Sequence, residues 1–129
     1  MNKDFAKAYP VSSDPKVFKP GVKIYAVTAA AQTIDLSDVI EDVVAIQTSN
    51  VNATAITITG VQTGMKILLE YAGGVGVQNH VYTFPATFLI NVAGNNVATA
   101  NADGESLIIQ AISSTRGIVI ANNGAVALS

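Results

Sequence analysis

Hydrophobic and charged residues alternate between Met65 and Tyr71, apart from Leu68. One set of alternate positions is wholly apolar and consists of Met65, Ile67, Leu69 and Tyr71. The positions between them are Lys66, Leu68 and Glu70. A period of two residues is typical of a β-strand that buries one of its faces. Such a strand needs a second layer of structure to cover that face, so the pattern predicts a layered β-fold.

The segments on either side of this strand carry candidates for the second layer. Ile56 and Ile58 precede it, and Tyr82 and Phe84 follow it, again at alternate positions. Strand signals recur about every eight to twelve residues from Gly21 onward, a spacing typical of sandwiches and barrels. The predicted strands are Val22–Thr28, Gln32–Leu36, Val43–Thr48, Ala53–Thr59, Met65–Tyr71, Val77–Phe84, Phe88–Val92, Glu105–Ser113, Gly117–Ala121 and Ala125–Leu128. We therefore expect an all-β fold, an antiparallel β-sandwich of jelly-roll-like form, over residues 21–129.

A helical spacing appears once, between two of the predicted strands. Its apolar positions are Leu36, Val39, Ile40 and Val43, and Asp35 or Ser37 is available as an N-cap. The spacing predicts a single helical turn.

Two further stretches depart from regular alternation. The apolar phase changes between Ala55 and Ile56, which indicates either a bulge or a strand buried on both faces. The Ala- and Asn-rich run Val92–Ala102 is predicted to be a polar loop, and no repeat of fixed period is evident along the chain.

Residues 1–20 differ in composition from the rest of the chain. Prolines stand at Pro10, Pro15 and Pro20, and prolines at such intervals favour extended backbone over a long helix. We expect an extended N-terminal arm over residues 1–20 that binds a partner; a floppy tail, or one helical turn over Asp4–Tyr9, is the alternative. The residues predicted to make this contact are Lys3, Phe5, Lys7, Tyr9, Lys16, Phe18 and Lys19.

Charge is divided unevenly between the arm and the remainder of the chain. Residues 1–23 hold five lysines and two aspartates, a charge of +3, whereas residues 24–129 hold two basic and seven acidic residues, a charge of −5. A basic arm is suited to the acidic surface of a shell or of an adjacent subunit. Its aromatic residues would act as anchors, and its prolines would limit the entropy lost on docking.

The composition favours self-association. The chain has 129 residues, the size of a single domain, and only 12% of them are charged, against about 25% in ordinary soluble domains. Either Thr, Asn, Gln and Ser coat the surface, or part of the apolar surface lies in a subunit interface. Segments such as Leu107–Ile112 are apolar on both faces, which favours the interface. We expect a homo-oligomer, a trimer with three times the chain mass of 13.3 kDa.

Candidate catalytic and metal-binding residues are few. His80 is the only histidine and there is no cysteine, so one subunit cannot build a Cys-His arrangement or a multi-histidine metal site. One acidic group lacks the turn glycine of an EF-hand loop and consists of Asp35, Asp38, Glu41 and Asp42. We therefore predict a protein that is not an enzyme, with no cofactor, no metal ion and a structural role for His80.

Neither a nucleic acid nor a membrane is an expected partner. Beyond the arm and Lys23, only Lys66 and Arg116 are basic, and the net charge is −2. No uninterrupted apolar run approaches the roughly 18 residues of a membrane span. The first ten residues, MNKDFAKAYP, lack the apolar region of a secretory signal.

Four segments, in this order, resemble a small β-sandwich domain found in virion proteins of tailed bacteriophages. They are TIDLSDVIEDVVAIQTS (Thr33–Ser49), ATAITITGVQTGMKILLEYAGG (Ala53–Gly74), VYTFPATFLIN (Val81–Asn91) and ESLIIQAISSTRGIVI (Glu105–Ile120). In that family a strand of the type T-x-D-L-S precedes a threonine-rich strand and a Gly-led strand. An aromatic-Pro turn and a closing hairpin with an Arg-Gly or similar turn then follow.

The resemblance implies attachment and decoration modules on heads, fibres and tails, with no catalytic residues. Because only the 20-residue arm precedes the sandwich, we expect a capsid decoration (cement) or head-fibre protein rather than a tail fibre with a long shaft. Its expected partners are further copies of itself and the major capsid protein or another virion protein. The expected location is the virion, assembled in the host cytoplasm. The alternative is a carbohydrate- or receptor-binding module of a tail fibre, since sandwiches often present sugar sites on their loops.

Overall fold

A computed structural model of the chain describes residues 17–49, 52–72, 78–91 and 93–129. These residues form ten β-strands and no helix, which confirms the predicted all-β class for this part of the chain. The strands are β1 (Lys19–Val27), β2 (Ala31–Asp35), β3 (Glu41–Thr48), β4 (Thr54–Thr59), β5 (Lys66–Tyr71), β6 (His80–Thr83), β7 (Val97–Ala100), β8 (Ser106–Ala111), β9 (Gly117–Asn123) and β10 (Ala127–Leu128). It follows that no described helix is long and apolar enough to cross a membrane.

The strands form two sheets of five, consistent with a sandwich. Sheet I has the order β1-β3-β5-β8-β9, and sheet II has the order β10-β7-β6-β4-β2. The first six strands alternate between the sheets, so each lies beside the strand two before it rather than beside its immediate predecessor. The chain thus runs through three two-strand coils, β1–β2, β3–β4 and β5–β6, before the last four strands close the fold.

The predicted antiparallel arrangement is wrong for half of the strand pairs. Strands from successive coils pair in parallel, namely β1 with β3, β3 with β5, β2 with β4, and β4 with β6. The four pairs that involve the later strands are antiparallel. Both sheets are therefore mixed, and the strand order does not confirm a jelly roll, whose sheets are antiparallel.

The parallel pairing follows from the short connections between strands. Residues 28–30 link β1 to β2, and residues 36–40 link β2 to β3. Each connection carries the chain across the roughly 10 Å between packed sheets, not to a neighbour in the same sheet. Adjacent coils differ in length, since the register pairs Val22 with Val43, 21 residues on, and Val43 with Lys66, 23 residues on. A structural repeat therefore exists where the sequence has no fixed period.

The predicted helical turn between β2 and β3 is wrong. Residues Leu36–Ile40 form a tight turn in which the Val39 amide donates to the Leu36 carbonyl at 3.2 Å. The Asp35 carboxylate accepts a hydrogen bond from the Ser37 amide at 3.0 Å, a side-chain-to-backbone bond that competes with helix formation. Leu36 and Val39 are buried, so the apolar spacing here anchors a turn to the core.

The two irregular stretches also differ from expectation. Strand β4 alternates regularly and has no bulge, because Thr54 rather than Ala55 occupies the buried position beside Ile56. The predicted polar loop at Val92–Ala102 contains β7, which turns Ala98 and Ala100 towards the core. The predicted strand Phe88–Val92 is not a strand over residues 88–91, where Leu89 forms an isolated bridge with Arg116 and exchanges backbone hydrogen bonds with Thr115 and Gly117; Val92 lies outside the described residues.

One core fills the space between the sheets. The alternation in β5 is confirmed, with Ile67, Leu69 and Tyr71 buried together with Met65 just before the strand. The predicted second layer is confirmed too, because Ile56, Ile58, Tyr82 and Phe84 are buried on the side of sheet II. Burial of each large side chain contributes about 1.5–3 kcal/mol, so this shared layer is the main source of stability.

The turn after β4 requires a glycine. Gly60 has a φ of +71°, and a Cβ there would lie 2.6 Å from the Ser37 amide nitrogen and also against the Asp35 carboxylate. Gly104 has a similar φ of +83°, but a Cβ there would meet nothing within 4 Å. Comparison of substitutions at Gly60 and Gly104 therefore separates the cost of a positive φ from the cost of a steric clash.

We predict that Gly60→Ala lowers the free energy of unfolding by at least about 3 kcal/mol, because it adds a clash to the strain of a positive φ. Gly104→Ala, the matched control, should cost about 1–2 kcal/mol from strain alone. Urea unfolding of both variants measures the difference. Equal losses would show that the turn around Asp35 and Ser37 moves freely.

Candidate interaction surfaces

Polar side chains lie buried between the two sheets. His80 on β6 and Thr54 on β4 are cross-strand neighbours, and Thr54 Oγ1 lies 2.7 Å from His80 Nδ1. The Tyr71 ring packs edge-on against the His80 ring, with 4.1 Å between ring centroids. The Tyr82 hydroxyl donates to Thr48 Oγ1 at 2.8 Å. Two hydrogen-bonded pairs thus lie inside the sandwich, and the Tyr82 pair joins sheet II to sheet I.

Their surroundings shift the pKa values of these groups. Burial lowers the pKa of His80, and the nearby Asp103 carboxylate acts in the opposite direction. Burial raises the pKa of Tyr82 to about 12, against a lowering contribution from its hydrogen bond with Thr48. The His80 ring is thus held in its neutral form, and Tyr82 stays protonated at physiological pH.

His80 and Thr54 form a hydroxyl–imidazole pair, but a substrate cannot reach it. His80 is fully buried and Thr54 is 3% exposed. A nucleophile must be accessible to an incoming substrate as well as activated by a base. The predicted structural role of His80 accords with this geometry.

The acidic group around the β2–β3 turn consists of Asp35, Asp38, Glu41 and Asp42, and two of these carboxylates accept hydrogen bonds from backbone amides. Asp35 accepts from Ser37, and hydrogen bonds from Ser37 lower its pKa. Asp42 accepts from the Gly21 amide at 3.0 Å. Within the described ranges, no three His, Asp or Glu side chains are close enough together to hold a metal ion.

An open groove of about 270 Å³ lies beside these acids, where β1 meets the β2–β3 turn. Its lining residues are Lys23, Tyr25, Asp35, Asp38, Val39, Ile40 and Glu41. The Lys23 ammonium lies over the Tyr25 ring, 5.7 Å from its centroid. The groove is acidic overall, and one face of its aromatic ring is already covered by a cation.

Most of the predicted arm contacts lie outside the described residues, namely Lys3, Phe5, Lys7, Tyr9 and Lys16. The structure does place the other two. Phe18 is half-buried and packs against the core, and Lys19 begins β1, its amide donating to the Ile40 carbonyl at 2.8 Å. The sheet therefore begins two residues before the predicted boundary at residue 21.

The outer face of sheet I, on the side away from the core, is apolar along its centre. The strand register places its side chains in three rows that cross all five strands. The central row consists of Ile24, Ala45, Leu68, Ile108 and Ala121. One flanking row consists of Val22, Val43, Lys66, Gln110 and Ile118, and the other of Ala26, Gln47, Glu70, Ser106 and Asn123.

Exposed hydrophobic side chains concentrate on this face. Seven large hydrophobic residues are exposed in the described part of the chain. Five of them, each 49–57% exposed, lie on the outer face of sheet I or at its rim: Val22, Ile24, Ile112, Ile118 and Ile120. A contiguous apolar patch rimmed by polar residues marks an interaction site more often than isolated exposed residues do.

The outer face of sheet II has a different composition. One of its rows is Thr33, Thr57, Thr83 and Val97, and the next is Ala31, Ala55, Val81, Thr99 and Ala127. Threonine hydroxyls can hydrogen-bond to water, and the alanines expose little apolar area. None of the seven large exposed hydrophobic residues of the described chain lies in these two rows.

No protein-family model, curated protein sequence or solved structure matches this chain.

Sequence reasoning indicated an apolar interface but not where it lies. Leu107–Ile112 was apolar on both faces, and Ile108 does lie in the central row. Ile24, Leu68 and Ile108 are more than 35 residues apart along the chain, and they come to lie in one row through the parallel pairing of β1, β3 and β5 and the antiparallel pairing of β5 with β8. The one local signal is the apolar Leu68 between two charged residues on β5.

The buried His80 predicts a pH dependence of stability. Because its pKa is lowered in the folded state, the unfolded chain binds the proton first as the pH falls below about 6.5. Stability should therefore be complete above that pH and decline below it, by at most about 1.4 kcal/mol per pH unit. Urea unfolding between pH 7.5 and 5.5 measures this slope.

His80→Gln is the matched control, since its amide has no charge to gain in this range. The variant should be less stable than the wild type at pH 7.5 but should lack the decline attributed to His80. The same slope in both proteins would exclude His80 as its source.

Proposed function

We propose that this chain is a non-enzymatic structural protein of a tailed-phage virion, a capsid decoration (cement) or head-fibre protein. In this proposal the N-terminal arm attaches to the major capsid protein or another virion protein, and the β-sandwich associates with further copies. The observation that carries the assembly role is the apolar row across the outer face of sheet I. The virion assignment rests on the sequence resemblance over residues 33–120.

The distribution of reactive groups supports a structural role. The chain's one histidine is buried against Tyr71, and the buried Glu105 carboxylate accepts hydrogen bonds from the amides of Asn101 and Ala102. The Asp35 and Asp42 carboxylates likewise accept hydrogen bonds from backbone amides. These groups stabilise turns and the core, which is what a rigid assembly module needs.

A carbohydrate- or receptor-binding module is the second candidate, and the groove beside β1 is the observation that favours it. Tyr25 offers a ring there, and Asp35, Asp38 and Glu41 offer carboxylates for sugar hydroxyls. Lys23 covers one face of that ring, however, and Tyr71, Tyr82, Phe84 and Phe88 are buried. Sugar sites depend on accessible aromatic rings for stacking, so we rank this function second.

The virion proposal predicts that the full-length chain co-purifies with phage particles banded by density from lysates of the producing host. A chain that lacks residues 1–16 retains Phe18 and β1, so it should keep a β-rich circular dichroism spectrum. It should bind the particles at least tenfold more weakly, a loss of about 1.4 kcal/mol. Raised salt should weaken binding of the full-length chain, because the arm contacts involve lysines.

Two results would count against separate parts of this proposal. Absence of the full-length chain from the particle fraction would contradict a virion location. Undiminished particle binding by the truncated chain would leave the virion location intact but contradict attachment through the arm.

A further inference from the structure

The outer face of sheet I has a charge arrangement that suits a second copy of itself. Strand β5 lies third of five in the sheet and presents Lys66, Leu68 and Glu70 on this face. The opposite charges stand on either side of Leu68, one in each flanking row. Gln47 lies in the same row as Glu70 and donates to its carboxylate at 3.4 Å.

We propose that the chain forms a dimer, and not the trimer expected from its sequence: two copies pack face to face through this surface, about a two-fold axis that runs along the central row. The axis lies between the two facing copies of sheet I and is perpendicular to their strands. Strand β5 of one copy therefore lies antiparallel to β5 of the other. Leu68 then meets Leu68 of the second copy, and Lys66 meets Glu70. An interface with this symmetry uses the same patch on both subunits.

The charges distinguish this arrangement from the other face-to-face dimer. A two-fold axis parallel to the strands would place Lys66 on Lys66 and Glu70 on Glu70. Like charges in contact disfavour an association, whereas opposite charges fix its register. The perpendicular axis is therefore selected by two side chains that flank the apolar centre.

The size of the face predicts a weak dimer. Five strands about 4.8 Å apart and about six residues long at 3.3 Å per residue cover a projected area of about 500 Å² per copy. Specific interfaces of standard size bury about 800 Å² per partner, so this contact lies towards the lower end. We expect dissociation in the micromolar range. The inference does not depend on a virion location.

Charge exchange tests the proposal. Light scattering behind a sizing column should show the wild-type mass rising with concentration towards twice 13.3 kDa. Lys66→Glu and Glu70→Lys should each weaken self-association at least tenfold, because each places like charges opposite one another. The double variant K66E/E70K restores both pairs and should dimerise like the wild type. An equimolar mixture of the two single variants should form a heterodimer for the same reason.

Asp38→Lys is the matched control for Glu70→Lys, since it makes the same charge change in the β2–β3 turn, outside the three rows. It should leave dimerisation unchanged, and thermal melting should show every variant folded. A wild-type mass that stays monomeric, or a trimer of three times 13.3 kDa, would overturn the proposal. So would a double variant that fails to regain association.

Discussion

The two sheets share a single internal layer of side chains, and the rest of the structure depends on that constraint. A strand in a two-layer fold can bury one face only, so alternate residues of every strand must either join this layer or lie outside it. The coils β1–β2, β3–β4 and β5–β6 meet the requirement by moving the chain to the opposite sheet after each strand. The parallel register that results aligns residues of like position from successive coils into rows.

The rows have different consequences on the three surfaces. Inside, they bring together Val44, Ile67 and Ile109 of sheet I as direct neighbours. Outside sheet II, they align Thr33, Thr57 and Thr83, a face that water can cover. Outside sheet I, they align Ile24, Leu68 and Ile108. The large exposed hydrophobic side chains of the described residues are thus concentrated on one face of the sandwich, although that face also carries Lys66 and Glu70.

Polar groups inside the core add specificity to this packing. The hydrogen bond from Tyr82 to Thr48 joins a side chain of sheet II to one of sheet I. Thr54 Oγ1 and His80 Nδ1 form a hydrogen bond between β4 and β6, whereas the buried His80 Nε2 has no hydrogen-bond partner among the described residues. A buried hydrogen bond contributes about 0.5–1.5 kcal/mol, but loss of one partner leaves the other unsatisfied at a larger cost. The Tyr82–Thr48 pair therefore favours one alignment of the two sheets over others that apolar contacts alone would allow, whereas the Thr54–His80 pair lies within sheet II.

Much of the core could be predicted from local alternation, whereas pairing could not. The buried face of β5, formed by Ile67, Leu69 and Tyr71, can be predicted because a period of two is visible within a few residues. Parallel and antiparallel strands have the same period of two residues, so the parallel pairing between successive coils could not be predicted from it. Strand β7 was missed because Ala98 and Ala100 carry little hydrophobic signal. The predicted helical turn was wrong because the apolar spacing of Leu36 and Val39 also fits a tight turn, which buries both side chains and is closed by one backbone hydrogen bond between them.

The sequence predicted that the chain has an apolar interface but not which residues form it. The composition indicated a self-associating protein, which stays a prediction, and the strand register places an apolar row on the outer face of sheet I. Its location depends on contacts between distant segments, as does the position of Leu68 between Lys66 and Glu70 at the centre of a five-stranded face. In the arm, an apolar contact for Phe18 could be predicted from the sequence. That Phe18 contacts the core of its own chain could be seen only in the fold.

The central claim is that the outer face of sheet I makes contacts and that of sheet II does not. Methyl nuclear magnetic resonance with a soluble paramagnetic probe tests it directly, since the probe broadens only those methyl signals that it can approach. With rising protein concentration, Ile24, Leu68 and Ile108 should become protected from the probe, while Thr57 and Thr83 should stay accessible. Protection of the threonine methyls instead, or no change on either face, would contradict the account.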